Sequence, residues 1–97
     1  MTITITVNFV GALREITGKN AVSLKIGGSA IVKDAISELS NYFPSEFRQA
    51  VTDPELADPR PNVLILVNKK EIGVLDGLRT RVENGDELVL IPISHGG

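Results

Sequence analysis

The sequence has no cysteine and no tryptophan, and His95 is its only histidine among 97 residues. The lack of cysteine excludes disulfides, thiolate metal sites, iron–sulfur clusters and a cysteine nucleophile. With one histidine, a zinc site formed by this chain alone would have to rely on carboxylates, which is unlike the usual zinc ligand set. The sequence therefore offers few of the side chains on which metal-dependent and nucleophilic catalysis depend.

Charge and hydropathy exclude two further classes. Ten basic and twelve acidic residues give a net charge of −2, so the basic surface that nucleic-acid binding needs is missing and no direct nucleic-acid partner is predicted. The N-terminus has neither a basic region nor the continuous apolar core of a signal peptide. No apolar run approaches the roughly 18 residues of a membrane span. We therefore expect a cytoplasmic protein without a membrane partner.

Nucleotide-binding and hydrolase motifs are also missing. Gly11 and the pair Gly18-Lys19 are reminiscent of a phosphate-binding loop, but six residues separate the glycines and Asn20 follows the lysine. That loop requires four residues between its glycines, and Ser or Thr after the lysine. The glycine-rich dinucleotide motif and the serine nucleophile motif do not occur. We expect no self-contained active site and no cofactor bound by this chain.

The length predicts a single domain over residues 1–97. Residues 2–9 alternate strictly, which is typical of a half-buried strand, with β-branched or aromatic residues on one face and polar ones on the other. Residues 21–26 alternate in the same way. Residues 12–17 predict a short helical turn closed by Gly18.

The clearest helix is predicted over 29–43, with Ser29 as its cap and Pro44 at its end. Its apolar positions follow the helical spacing and are Val32, Ala35, Ile36, Leu39 and Phe43. Residues 45–51 predict a further turn, and the three prolines of 52–61 predict a surface loop.

The last third of the chain predicts strands. Residues 63–67 form a continuous apolar strand, 68–71 a tight turn, 71–74 a short edge strand and 87–93 the final strand. Together these elements predict an α+β domain with a mixed sheet of four or five strands packed on one main helix. Residues 94–97 then form a flexible tail without an apolar anchor.

Two strands, 63–67 and 88–91, are apolar on both faces. One helix covers only one face of a sheet, so the other face of these strands is predicted to be a partner surface. The alternatives are that loop 52–61 or a second copy covers it. We assign to the core Leu64, Leu66, Leu88 and Leu90. We assign to the outer, partner-binding face Ile65, Val89 and Ile91, together with Val67.

The chain ends in Gly96-Gly97. Glycine lacks Cβ, so such a tail can enter a channel too narrow for other residues. The Gly97 carboxylate is a poor acyl donor at neutral pH, so another enzyme must activate it, most simply as an acyl-adenylate with ATP and magnesium. Sulfide or an amine can then attack the terminal carbonyl. The alternative is an ordinary frayed terminus.

These residues together resemble a known family. The segment Phe9–Gly18, the pair Val67-Asn68 and the run Asn84–Leu88 leading to Gly96-Gly97 are similar to the β-grasp, ubiquitin-like sulfur carriers. This group includes the thiamine-pathway carrier and the small subunit of molybdopterin synthase (MoaD-like). The resemblance implies a β-grasp fold for the whole chain.

The resemblance also implies a reaction cycle. A partner adenylating enzyme would charge Gly97, a sulfur donor would convert it to a thiocarboxylate, and the large subunit of molybdopterin synthase would use the sulfur on a pterin precursor. The ending His95-Gly96-Gly97 is similar instead to ubiquitin-related modifiers that thiolate tRNA and tag proteins. His95 either steers the tail or is simply exposed. A third reading is a binding module that acts through its sheet face alone.

Overall fold

The computed structural model describes residues 1–52 and 62–93. Five strands are present: β1 (Thr2–Phe9), β2 (Ala21–Gly27), β3 (Val63–Val67), β4 (Lys70–Glu71) and β5 (Glu87–Pro92). Three helices are present in the same ranges: α1 (Ala12–Thr17), α2 (Val32–Tyr42) and α3 (Ser45–Val51). Two short 3-10 turns, Ile72–Val74 and Gly77–Arg79, connect β4 to the segment before β5.

The strands form one mixed sheet in the order β2-β1-β5-β3-β4. β1 and β5 are parallel at the centre, and every other neighbouring pair is antiparallel. The helices pack on one face, which confirms the predicted α+β architecture with a sheet of four or five strands. The opposite face is called the open face below.

The alternation of β1 and β2 placed their side chains correctly. Ile5, Val7 and Phe9 are fully buried under the helices, and Thr4 on the open face is exposed. In β2, Leu24 is buried, with Val22 and Ile26 half-buried beside it. The period-two pattern therefore predicted both strands and their buried faces.

Three phenylalanines join β1 to the helical layer. The ring of Phe9 meets those of Phe43 and Phe47 edge-on, with ring centroids 5.6 and 5.9 Å apart. Phe47 and Val51 are fully buried on one side of α3, which lies where a further turn was predicted over residues 45–51. Edge-to-face contacts of this kind stabilise a core beyond the area they bury.

Helix α2 begins later than predicted, and Ser29 does not cap it. The helix starts at Val32, and the Asp34 carboxylate accepts a hydrogen bond from the backbone N–H of Ile31 at 3.0 Å. The N–H of Val32 donates to the carbonyl of Thr80 at 2.9 Å. Asp34 and Thr80 thus satisfy groups at the helix start that Ser29 was expected to serve.

The predicted faces of β3 were wrong. Ile65, assigned to the partner surface, is only 1% exposed, and Val67 is buried as well. Leu64 and Leu66, assigned to the core, lie on the open face, with Leu64 38% exposed. The cause is the register, which places Ile65 opposite the buried Leu90 of β5, and paired residues share a face.

The turn after β3 has two residues in the left-handed region, Asn68 (φ 49°) and Lys69 (φ 74°), as a tight hairpin requires. The edge strand β4 covers Lys70–Glu71 only, and 72–74 forms a 3-10 turn where a strand was predicted. The predicted loop falls mainly on residues 53–61, which lie outside the described residues.

Candidate functional site

The open face carries a continuous apolar strip on its β5 and β3 half. We define the apolar strip as Leu64, Leu66, Val89, Ile91 and Ile93. Leu64 pairs with Ile91 and Leu66 with Val89 across the two antiparallel strands. Ile93 follows β5 in the same alternation and is 40% exposed. Adjacent apolar side chains that remain partly exposed on a sheet face are typical of a partner surface.

The other half of the open face is polar. β1 contributes Thr2, Thr4 and Thr6, and β2 contributes Ser23 and Lys25. Asn8 pairs with Val89 and marks the boundary between the two halves. The polar half explains why the β1 alternation is so clean, and it confines any apolar contact to the strip.

The end of β5 is held on both sides. The N–H of Ile93 donates to the carbonyl of Asn62 at 2.9 Å, and the N–H of Val10 donates to that of Leu90 at 3.3 Å. The strand that leads to the C-terminal tail is therefore fixed in position up to Ile93.

The segments that carry the family resemblance support this geometry. In the first segment, the Arg14 Nε group donates to the carbonyl of Phe9 at 3.0 Å. In the other two, Asn68 Nδ2 donates to the carboxylate of Asp86 at 2.9 Å. The Arg14 hydrogen bond connects α1 to the end of β1, and the Asn68 hydrogen bond connects the turn after β3 to the turn before β5.

The predicted site residues separate into three groups. Val89 and Ile91 lie on the open face as expected, and their role in partner binding stays a prediction. Ile65 belongs to the core. His95, Gly96 and Gly97 lie outside the described residues.

Sequence reasoning missed Leu64, Leu66 and Ile93 as members of the strip. One signal could have found the first two, because Asn62 and Asn68 share their parity and bracket the strand. A polar residue at each end of one parity indicates the solvent side. The uninterrupted apolar run between the two asparagines shows no alternation, so it obscured this signal.

Within residues 1–52 and 62–93, no three His, Asp or Glu side chains are grouped closely enough to hold a metal ion. In the same ranges no helix has the length and apolar character needed to cross a membrane. The open face therefore presents an apolar contact area beside the strand that leads into Gly96-Gly97.

Comparisons with known proteins agree with this architecture. Small archaeal modifier protein 3 of Haloferax volcanii is 27% identical over 89 residues, covering 92% of this chain and 94% of that protein. The crystal structure of small archaeal modifier protein 1 from the same organism superposes with a TM-score of 0.83 at 23% identity, covering 95% and 99% of the two chains.

A structure assigned as subunit 1 of a molybdopterin converting factor from Pyrococcus furiosus superposes with a TM-score of 0.76 at 20% identity, covering 95% of this chain and 99% of that one. These structural likenesses confirm the β-grasp fold. The model of the ThiS family matches residues 7–97. The chain therefore belongs to the ThiS family, within the ubiquitin-like sulfur carriers and modifiers of β-grasp fold.

Proposed function

We propose that this protein is a sulfur carrier whose Gly97 carboxylate is adenylated and then converted to a thiocarboxylate. A partner adenylating enzyme joins the carboxylate to AMP from magnesium-bound ATP and releases pyrophosphate. Hydrosulfide, or a donor that delivers it, attacks the acyl-adenylate, displaces AMP and leaves the thiocarboxylate. Atoms and charge balance without an oxidant or reductant.

One observation carries the proposal: the apolar strip lies on β5, and β5 leads directly into the segment that ends in Gly96-Gly97. A partner that docks on Val89, Ile91 and Leu64 holds the point where the chain leaves the sheet. Four residues after Ile93 span at most roughly 13–14 Å, so an active site that reaches Gly97 must lie close to this docking area. Because only four residues follow Ile93, a partner that docks on the apolar strip also holds Gly97 near its active site.

We propose that the sulfur acceptor is the pterin precursor of molybdenum cofactor synthesis, with this chain as the small subunit of molybdopterin synthase. The resemblance of Phe9–Gly18 and Asn84–Leu88 to such subunits supports this assignment. The structural likeness to the P. furiosus molybdopterin converting factor subunit is consistent with it.

A second candidate function is protein modification or tRNA thiolation. The ending His95-Gly96-Gly97 favours it, and so does the similarity to an archaeal modifier protein over 92% of the chain. In protein modification a lysine amine, instead of hydrosulfide, attacks the acyl-adenylate, loses a proton, displaces AMP and forms an isopeptide bond to Gly97. In tRNA thiolation the thiocarboxylate formed with hydrosulfide supplies the sulfur. Both candidates require the same activated terminus.

The shared step is tested by charging the purified chain with its cognate adenylating enzyme, MgATP and a sulfide donor. We expect the intact mass to increase by the difference between one sulfur and one oxygen atom. A variant with one alanine added after Gly97 is the matched control, since it retains every native residue and moves the carboxylate. No mass gain by the native chain, or an equal gain by the extended chain, would refute the proposal.

The two acceptors are separated by complementation and by peptide mapping. Rescue of a strain that lacks its molybdopterin synthase small subunit supports the first candidate. For the second, trypsin cuts last after Arg81, so a modified lysine must carry residues 82–97 as a branch. Detection of that branch on cellular proteins supports modification, and its absence together with rescue rejects it.

The docking face is tested with Ile91→Glu, for which Thr4→Glu is the control on the polar half of the same face. A charge within a desolvated contact typically costs at least about 2 kcal/mol of binding free energy, equivalent to roughly thirtyfold in affinity. We expect that loss for the adenylating enzyme with Ile91→Glu and almost none with Thr4→Glu. Equal effects of both substitutions would exclude the apolar strip as the contact area.

A further inference from the structure

A second surface lies at the opposite edge of the sheet from β3 and β4. Among the described residues β2 pairs only with β1, so its outer edge is free. The carbonyl of Asn20 accepts from Phe9 N–H, and Gly28 N–H donates to the carbonyl of Met1. The even-numbered residues therefore bond to β1, and the backbone groups of Ala21, Ser23 and Lys25 point outward.

These outward groups repeat at every second residue. The carbonyl of Gly27 is occupied by the N–H of Ala30 at 3.0 Å, so the free edge ends there. The hydrogen bonds among residues 1–52 and 62–93 leave the outward N–H and C=O groups of Ala21, Ser23 and Lys25 without a backbone partner. Only another extended backbone can match their spacing.

An apolar groove runs beside this edge, between β2 and α2. Its volume is about 290 Å³, and its lining includes Val22, Leu24, Leu39, Tyr42, Phe43 and Lys19. Tyr42 is 66% exposed although it borders the groove. An extended chain paired with β2 would direct alternate side chains into the groove and the others towards the open face.

The positive charges beside the edge indicate which polar side chains an incoming strand would carry. Lys25 is exposed on the open face of β2, and Lys19 lines the groove. An acidic side chain on the incoming strand would lie across from Lys25, where opposite charges stabilise paired strands. β2 itself, Ala21–Gly27, contains no acidic residue, so pairing two copies through β2 would not supply that charge.

We propose that the β2 edge and its groove bind an extended segment of another protein in which apolar residues alternate with acidic ones. The segment adds a sixth strand to the sheet. β1 separates β2 from β5, so this surface and the apolar strip are distinct and can be occupied together. The proposal does not depend on the chemistry at Gly97.

An alternative role for Lys25 is protection of the edge against aggregation, because lysines commonly guard free strands. That role explains the charge and leaves the groove and the exposed Tyr42 unused. It predicts that the edge binds no peptide of any charge pattern, whereas our proposal predicts binding of an acidic one.

The test uses the full chain and a capped synthetic peptide, acetyl-Glu-Val-Asp-Val-Asp-Ile-Glu-amide, followed by amide NMR. We expect the largest shifts, and slowed hydrogen exchange, at Ala21, Ser23 and Lys25. A peptide with both aspartates replaced by lysine is expected to bind about tenfold more weakly or worse. No shift up to millimolar peptide, or shifts confined to the apolar strip, would overturn the proposal.

Two substitutions locate the contact. Lys25→Glu should reverse the preference between the two peptides, whereas Lys33→Glu, an exposed lysine on α2, should not. Tyr42→Ala should weaken peptide binding about tenfold and leave the free energy of unfolding unchanged. Substitution of the neighbouring residue, Asn41→Ala, should leave peptide binding unchanged. A dimer with protected β2 amides in the absence of peptide would identify a second copy as the occupant and refute the proposal.

Discussion

Asn68 and Asp86 join two turns that lie 18 residues apart in the sequence. Asn68 Nδ2 donates to Oδ1 of Asp86 at 2.9 Å. The Oδ1 atom of Asn68 accepts from the N–H of Glu87 at 2.9 Å. Asp86 Oδ2 accepts in turn from the N–H of Glu83 at 2.7 Å. The β3–β4 hairpin is thereby connected to the start of the strand that carries the tail.

Asn68→Ala should lower the free energy of unfolding by about 2 kcal/mol, because it removes two hydrogen bonds, one of them to a carboxylate. Lys69→Ala is the control, since Lys69 also has a positive φ and no side-chain hydrogen bond is found for it among the described residues. Its expected effect is below about 0.5 kcal/mol. Urea denaturation measures both variants, and equal losses would contradict a special role for Asn68.

Gly11 should not tolerate a side chain. Its φ of 59° with ψ of −133° is a conformation that L residues rarely adopt, so Gly11→Ala should cost about 1–3 kcal/mol of stability. Gly27→Ala is the matched control, because an added carbon there meets nothing within 4 Å and φ is not positive. Thermal unfolding distinguishes them, and a neutral Gly11→Ala would show that this turn relaxes freely.

The corrected faces of β3 lead to opposite results at adjacent positions. Ile65→Lys places a charge in the core opposite Leu90 and should unfold the protein or cost more than about 3 kcal/mol. Leu66→Lys places it on the open face and should cost less than about 1 kcal/mol. Circular dichroism with urea denaturation is sufficient, and a stable Ile65→Lys variant would refute the register.

Hydrogen exchange should alternate along β2. The amides of Val22 and Leu24 donate to β1 and should exchange slowly, whereas those of Ser23 and Lys25 point outward and should exchange fast. The measurement is an amide exchange series on the free chain. Uniform protection along β2 would mean that another strand already covers its outer edge.

The strands with one polar face were predictable because period two identifies both the element and its buried side. Residues 2–9 and 21–26 illustrate this for strands. For the helix, the spacing of Val32, Ala35 and Leu39 identified both the element and its buried side in the same way. Ser29 illustrates a limit of prediction from sequence. The Asp34 carboxylate and the carbonyl of the distant Thr80, and not Ser29, accept hydrogen bonds from the backbone at the start of α2. Local sequence does not show that a residue as distant as Thr80 bonds to the start of a helix.

The sequence alone determined the class of most elements and the α+β fold, because these depend on local periodicity and on residue type, and it suggested the chemistry that we propose for the Gly96-Gly97 ending. Only the tertiary structure decided that Leu64 faces outward and Ile65 inward. A strand that is apolar at every position has no alternation to read, so its pairing with β5 sets the faces. Tertiary structure likewise decided that the edge of β2 borders an apolar groove, since the groove forms only where α2 crosses the sheet.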